Sequence, residues 1–116
     1  MKQQTIAHSD IWIVDFNPTK GHEMKKIRHA VVINGDFAIG LDLKIVAPIS
    51  TWRKDFDRIW WLCKIKADKQ NGLTDDSVAN CYQMRCVSDI RFVKKIGSCG
   101  KIIDEIVATA QNCMEN

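Results

Sequence analysis

A chain of 116 residues suffices for one compact core and argues against a second, so residues 1–116 read as a single domain. Its apolar fraction of 46% and charged fraction of 27% are those of a globular protein and exclude a disordered polymer. The formal charge of +3 permits binding to RNA or to an acidic partner and requires neither. No apolar run is long enough to span a bilayer, and the polar start from Met1 to Thr5 is unlike the core of a secretory signal. A cytoplasmic protein with no membrane partner is expected.

The first strong pattern is Asp10-Ile11-Trp12-Ile13-Val14-Asp15-Phe16, rich in β-branched and aromatic residues and closed by the turn chemistry of Asn17-Pro18-Thr19-Lys20-Gly21. Apolar side chains on both of its faces predict a strand buried on two sides, with Trp12 in the core. A second strand is predicted over His29 to Ile33, ended by Asn34-Gly35-Asp36, and a third over Leu43 to Ala47, ended by Pro48. A fourth is predicted from Ile59 to Lys66, closing at Asp68 and the Asn71-Gly72 turn. A fifth runs from Val78 to Val87, and a short sixth from Ile90 to Val93. Short strands separated by turn signals argue for a mainly β fold, a small antiparallel barrel or sandwich. The C-terminal segment differs: Ile102, Ile103, Ile106, Val107 and Ala110 recur at helical spacing, with Cys113 and Met114 extending the stripe. Gly97-Ser98 and Gly100 mark its start, and Asp104 and Glu105 lie near the positive end of its macrodipole.

Five cysteines cannot pair completely within one chain, and a reducing compartment would keep them as thiols. None forms a C-x-x-C pair, and the three histidines at 8, 22 and 29 lack H-x-x-x-H spacing. Neither a metal site nor any cofactor is expected, and the cysteines read as small core fillers.

The run Asp10 to Glu23 is nearly the opening strand and loop of the MazF/PemK toxins. In the same order, Arg28-His29-Ala30-Val31-Val32-Ile33, Val46-Ala47-Pro48-Ile49-Ser50 and Gln83-Met84-Arg85-Cys86-Val87 match later segments of that family. The chain therefore resembles a MazF/PemK toxin from about residue 9 to residue 112. That resemblance implies an SH3-like barrel with a C-terminal helix, a homodimer, and cleavage of single-stranded RNA at short motifs. It also implies restraint by a cognate antitoxin with an acidic tail; DNA would be met only through the antitoxin.

By the same resemblance, Arg28 and Ser50 occupy the positions chiefly tied to catalysis, and Glu23 is a candidate general base. The RNA-binding candidates are Phe16, Asn17, Thr19 and Lys20, then Lys26, Thr51, Trp52 and Arg53, and finally Gln83 and Arg85. The chemistry is coherent without the name. RNA carries its own nucleophile, the 2′-hydroxyl, so a protein needs only to align it, move protons and stabilise phosphoryl charge. A guanidinium matches two phosphoryl oxygens at once, and a hydroxyl can donate to one more. Each residue also has a plainer reading. Arg28 and Glu23 would serve as solvated surface charges, Ser50 would be an ordinary strand exit, and Trp52, Trp60 and Trp61 would be core or interface rings instead of base-stacking ones. His22 and His29 have the intrinsic pKa for acid–base work but do not match catalytic positions.

Four positions depart from the family pattern. His29 stands where proline is usual, Ser50 replaces threonine, Met24 occupies a commonly polar loop position, and Cys86 replaces a hydroxyl residue. They keep open a catalytically silent barrel that binds RNA or antitoxin without cutting. A gyrase-inhibiting toxin of the CcdB type would share the fold, but its aromatic-bearing tail is missing from Gln111-Asn112-Cys113-Met114-Glu115-Asn116.

Overall fold

The computed structural model describes residues 5–17 and 27–115. Seven strands and one helix follow in order: β1 (Asp10–Asp15), β2 (Ile27–Val32), β3 (Leu43–Thr51), β4 (Leu62–Ile65), β5 (Ser77–Asn80), β6 (Arg85–Ser88), β7 (Phe92–Ser98) and α1 (Ile102–Asn112). Every strand pairing is antiparallel, in the order β4-β5-β3-β2-β1-β7 with β6 also on β3. Among the described residues β4 and β7 do not pair, so the barrel is open. The mainly β architecture with a C-terminal helix is the one expected.

The central strands bury both faces, as the unalternating sequence of β1 implies. Ile11, Val31, Ala47 and Ile49 enter one core with Ile103, Ile106 and Ala110 of α1. Trp12, Val14, Ala30, Val32 and Val46 enter a second with Phe16, Val87 and Phe92. Trp12 meets Phe92 edge to face at 5.7 Å. Its indole nitrogen donates to Asp10 Oδ2 at 3.1 Å, and the same oxygen accepts the Ala7 amide at 2.9 Å. A carboxylate buried to 4% exposure is thereby satisfied, with Lys95 Nζ at 3.3 Å from its other oxygen.

Several boundaries differ from expectation, each for a local reason. β2 begins at Ile27, two residues early, because His29 is not a proline and joins the ladder opposite Ile13. β3 continues through Pro48 to Thr51. The Ile33 amide bonds Ile45 O at 2.9 Å, so odd positions of β3 face β2 and the Pro48 nitrogen faces the other edge. There it falls between the β6 ladder, which ends at Val46, and the β5 ladder, which starts at Ile49. No ladder bond is lost.

The predicted Val78–Val87 strand is two strands. A 3-10 turn over Cys81–Gln83 separates them, capped by the Asn80 side chain accepting from the Gln83 amide at 3.2 Å. The break lets one segment step along β3, pairing first with its end and then with its start. The fourth strand is shorter than predicted, because Ile59 to Trp61 lead out of a 3-10 helix at Lys54–Arg58 and Leu62 N–H bonds Ile59 O. β7 runs to Ser98, well past the predicted Val93, and Ile90 before it is exposed. The exposed pair Lys94-Lys95 conceals this strand from a hydrophobic pattern. α1 buries Ile103, Ile106 and Ala110 as its spacing predicts, whereas Met114 lies beyond its end and is exposed. Cys63, Cys81 and Cys99 are buried fillers, while Cys86 is exposed.

Candidate functional site

The ladder of β2 and β3 brings the two leading candidates together. Ala30 pairs with Pro48, and the same register carried outward sets Arg28 across from Ser50. Arg28 Nη2 donates to Ser50 Oγ at 2.5 Å. The sequence casts Ser50 as a donor to substrate; here its oxygen accepts from the guanidinium, which leaves its hydroxyl proton available to a second partner. Arg28 is exposed, and among the described residues it forms no ion pair with a carboxylate.

Two open cavities meet at Arg28. One, of about 320 Å³, is walled by Arg28, His29, Ser50 and Thr51 from β2 and β3, and by Leu73, Thr74 and Asp75 from the segment before β5. The other, of about 460 Å³, is walled by Phe16, Arg28, Pro48, Gln83 and Arg85. The Arg85 guanidinium lies 5.2 Å from the centre of the Phe16 ring. Six sequence candidates thus share one surface: Phe16, Arg28, Ser50, Thr51, Gln83 and Arg85.

Others do not join it. Trp52 lines neither cavity; Lys64 Nζ sits 4.0 Å above its ring, and its amide bonds Asp76 O at 2.8 Å. Arg53 stacks on Phe56 at 5.6 Å and reaches Asp55 at 4.0 Å. Asn17 takes part through its backbone, its carbonyl accepting from Arg91 Nη1. Thr19, Lys20, Glu23 and Lys26 lie outside the described residues, as do Met24 and His22.

Two residues were missed by sequence reasoning. Asp75 brings a carboxylate to the Arg28 cavity. It is placed there by the Asn71-Gly72 turn, where the buried Asn71 side chain holds the Asp68 and Leu73 amides at 3.1 and 3.0 Å and Gly72 takes φ 72°. Arg91 donates to Asp15 O at 3.1 Å and to Asn17 O at 2.5 Å, fixing the chain as it leaves β1 beside Phe16. Neither position carries a local signal, since each acts only through a distant segment.

The arrangement presents an exposed guanidinium with no carboxylate partner among the described residues, a hydroxyl and open polar space. Such a surface can hold an anionic oxygen by charge-assisted, forked hydrogen bonds. The strongest titration shifts lie elsewhere. Cys63, under α1, is held at about 7 by the hydrogen bond from Cys81 and a second from Thr109, against the effect of burial. Burial pushes the Cys99 thiol up to about 11. Neither thiol lines the Arg28 cavities.

The fold has clear relatives. The Mycobacterium tuberculosis toxin MazF-mt6 superposes with a TM-score of 0.70 at 20% identity, covering 90% of this chain and 95% of that one. The MazE–MazF structure from Deinococcus radiodurans gives 0.73 at 14% identity, covering 97% of each chain. An endoribonuclease in complex with its cognate antitoxin from a mycobacterial species gives 0.70 at 7% identity, covering 93% of each. At these identities the likeness speaks to fold alone. A sequence profile of PemK-like, MazF-like toxins of type II toxin–antitoxin systems matches residues 7–112. The chain therefore belongs to the PemK/MazF-like family of toxins.

Proposed function

We propose that this toxin is an endoribonuclease that cleaves single-stranded RNA at a short sequence motif without using a metal ion. The observation that carries the reading is the Arg28–Ser50 contact at the junction of two cavities. A phosphate seated there would meet the forked donors of Arg28 and the free proton of Ser50. Both groups favour the extra negative charge that develops on the phosphoryl oxygens as the 2′-hydroxyl attacks phosphorus. The O5′–P bond breaks, leaving a 2′,3′-cyclic phosphate and a 5′-hydroxyl. Glu23 accepts the 2′-hydroxyl proton, and the departing O5′, stabilised by Arg28, takes up a proton from water to become the 5′-hydroxyl. Phe16, Gln83 and Arg85 flank the reacting phosphate on one side and Thr51 on the other, so the strand runs across both cavities. Asn17, Thr19, Lys20, Lys26, Trp52 and Arg53 would extend its contacts beyond them.

The toxin acts in the cytoplasm as a homodimer and is silenced by a cognate antitoxin whose acidic tail occupies the same basic groove. That partner is suggested by the relatives described as a MazE–MazF structure and as an endoribonuclease with its cognate antitoxin.

Long single-stranded RNA incubated with purified wild type and Arg28→Ala in excess EDTA tests this reading. Recurrent cuts leaving 5′-hydroxyl ends, reduced at least about a hundredfold in the variant, are expected. RNA left whole by wild type that still binds an acidic peptide would instead identify a silent barrel.

A further inference from the structure

The rings named as RNA contacts from the sequence are partly occupied: Arg85 covers a face of Phe16, and Lys64 covers a face of Trp52. Phe16 is in addition only 9% exposed. A second aromatic group stands open. Trp60 is 59% exposed and Tyr82 69% exposed, although both are large rings that a single core would bury if it could. They are not isolated. Trp61, half-buried between them, meets Trp60 edge to face at 5.6 Å and Tyr82 in a tilted contact at 5.7 Å.

The backbone fixes this group as a unit. The Cys81 amide bonds Trp61 O at 3.1 Å, tying the Cys81–Gln83 turn to the entrance of β4. Tyr82 and Gln83 belong to that same capped turn, and Gln83 walls the larger cavity at Arg28. The open rings therefore begin one residue from the wall of the groove. The segment that carries Trp60 holds five cations, Arg53, Lys54, Arg58, Lys64 and Lys66, against two carboxylates, Asp55 and Asp57. Exposed rings on a cation-rich segment and beside a residue that walls the Arg28 cavity fit an unpaired nucleic-acid strand, because every base has a stacking face and every linkage a negative charge.

We propose that Trp60 and Tyr82, supported from beneath by Trp61, form a stacking shelf for unpaired bases of the RNA strand whose phosphate sits at Arg28. The assignment rests on the ribonuclease reading above and extends it to a base-binding subsite outside the two cavities. The shelf supplies affinity and biases which bases are tolerated beside the cleaved linkage; Arg28 and Ser50 supply the chemistry.

Two fluorescein-labelled strands of equal length separate the contributions: a fully 2′-O-methylated single-stranded RNA, which cannot react, and an abasic sugar–phosphate strand. Binding to wild type, Trp60→Ala, Tyr82→Ala and Arg28→Ala is read by anisotropy over a salt series, with sedimentation of each protein alongside. The shelf variants should bind the base-bearing strand about tenfold more weakly with an unchanged salt slope, and the abasic strand as wild type does. Trp60→Phe should recover most of the loss. Arg28→Ala should weaken both strands and lower the slope. Equal losses on both strands, no loss on either, or a change in oligomeric state with Trp60→Ala would overturn the shelf, the last by making it a protein contact. If the shelf variants match wild type while Arg28→Ala does not, the ribonuclease reading survives without the shelf. If wild type binds neither strand, both fall.

Discussion

In the proposed mechanism Arg28 and Ser50 divide one task, and substitutions at Ser50 test the division. Ser50 Oγ accepts a hydrogen bond from Arg28 Nη2, so it both aims the guanidinium and keeps a proton for substrate. Ser50→Thr preserves both roles and stiffens χ1, and its cleavage rate should stay within about threefold of wild type. Ser50→Ala leaves the guanidinium unaimed and should lower the rate about a hundredfold, with little change in thermal stability because the site is open to solvent. Single-turnover rates on one RNA, alongside melting curves, check both; equal rates for Ser50→Ala and wild type would remove Ser50 from the site. The identities of Arg28 and Ser50 as candidates were legible from the motif order, because strand register converts a fixed sequence separation into a facing pair. The direction of their hydrogen bond was not, since it depends on rotamers. Asp75 and Arg91 were invisible for another reason: Asp75 reaches the cavity through a turn whose sequence signals only a turn, and Arg91 acts on the distant carbonyls of Asp15 and Asn17.

At the level of elements, the central strands and α1 could be read because their burial imposes a pattern. β1 is apolar on both faces, and α1 repeats Ile103, Ile106 and Ala110 at helical spacing. The failures lie where pairing rather than burial defines the strand. β7 carries exposed lysines, and the Cys81–Gln83 break depends on a side-chain cap within an apolar run. One contact tests how these elements meet. A Cβ added at Gly97 on β7 would lie 2.3 Å from Gln70 O and 2.5 Å from the Asn71 carbonyl carbon, so the backbone must move. Gly97→Ala should cost about 2–4 kcal/mol in urea unfolding. It should also slow cleavage, because the displaced turn leads directly into Leu73, Thr74 and Asp75 at the Arg28 cavity. Stability within about 0.5 kcal/mol of wild type would contradict the close docking of that turn on β7.

For the molecule as a whole, a net charge of +3 does not specify a nucleic acid, but the placement of basic side chains gives it meaning. Arg28 and Arg85 border one cavity, and the segment after β3 carries five further cations in its sequence. On the proposed function the same surface would take an RNA strand or an acidic antitoxin tail, so the antitoxin would inhibit by occupying the groove. In the proposed mechanism the RNA supplies its own nucleophile, and the protein aligns it, takes its proton and stabilises the phosphoryl charge. A cleavable RNA whose single 2′-hydroxyl at the mapped cut is replaced by hydrogen isolates that step, because phosphates, bases and all other sugars are unchanged. Wild type should bind this strand within about threefold of the parent RNA and leave it uncut at that linkage. Cleavage there at an unreduced rate would show that water or a protein group is the nucleophile, and would rule out attack by the 2′-hydroxyl.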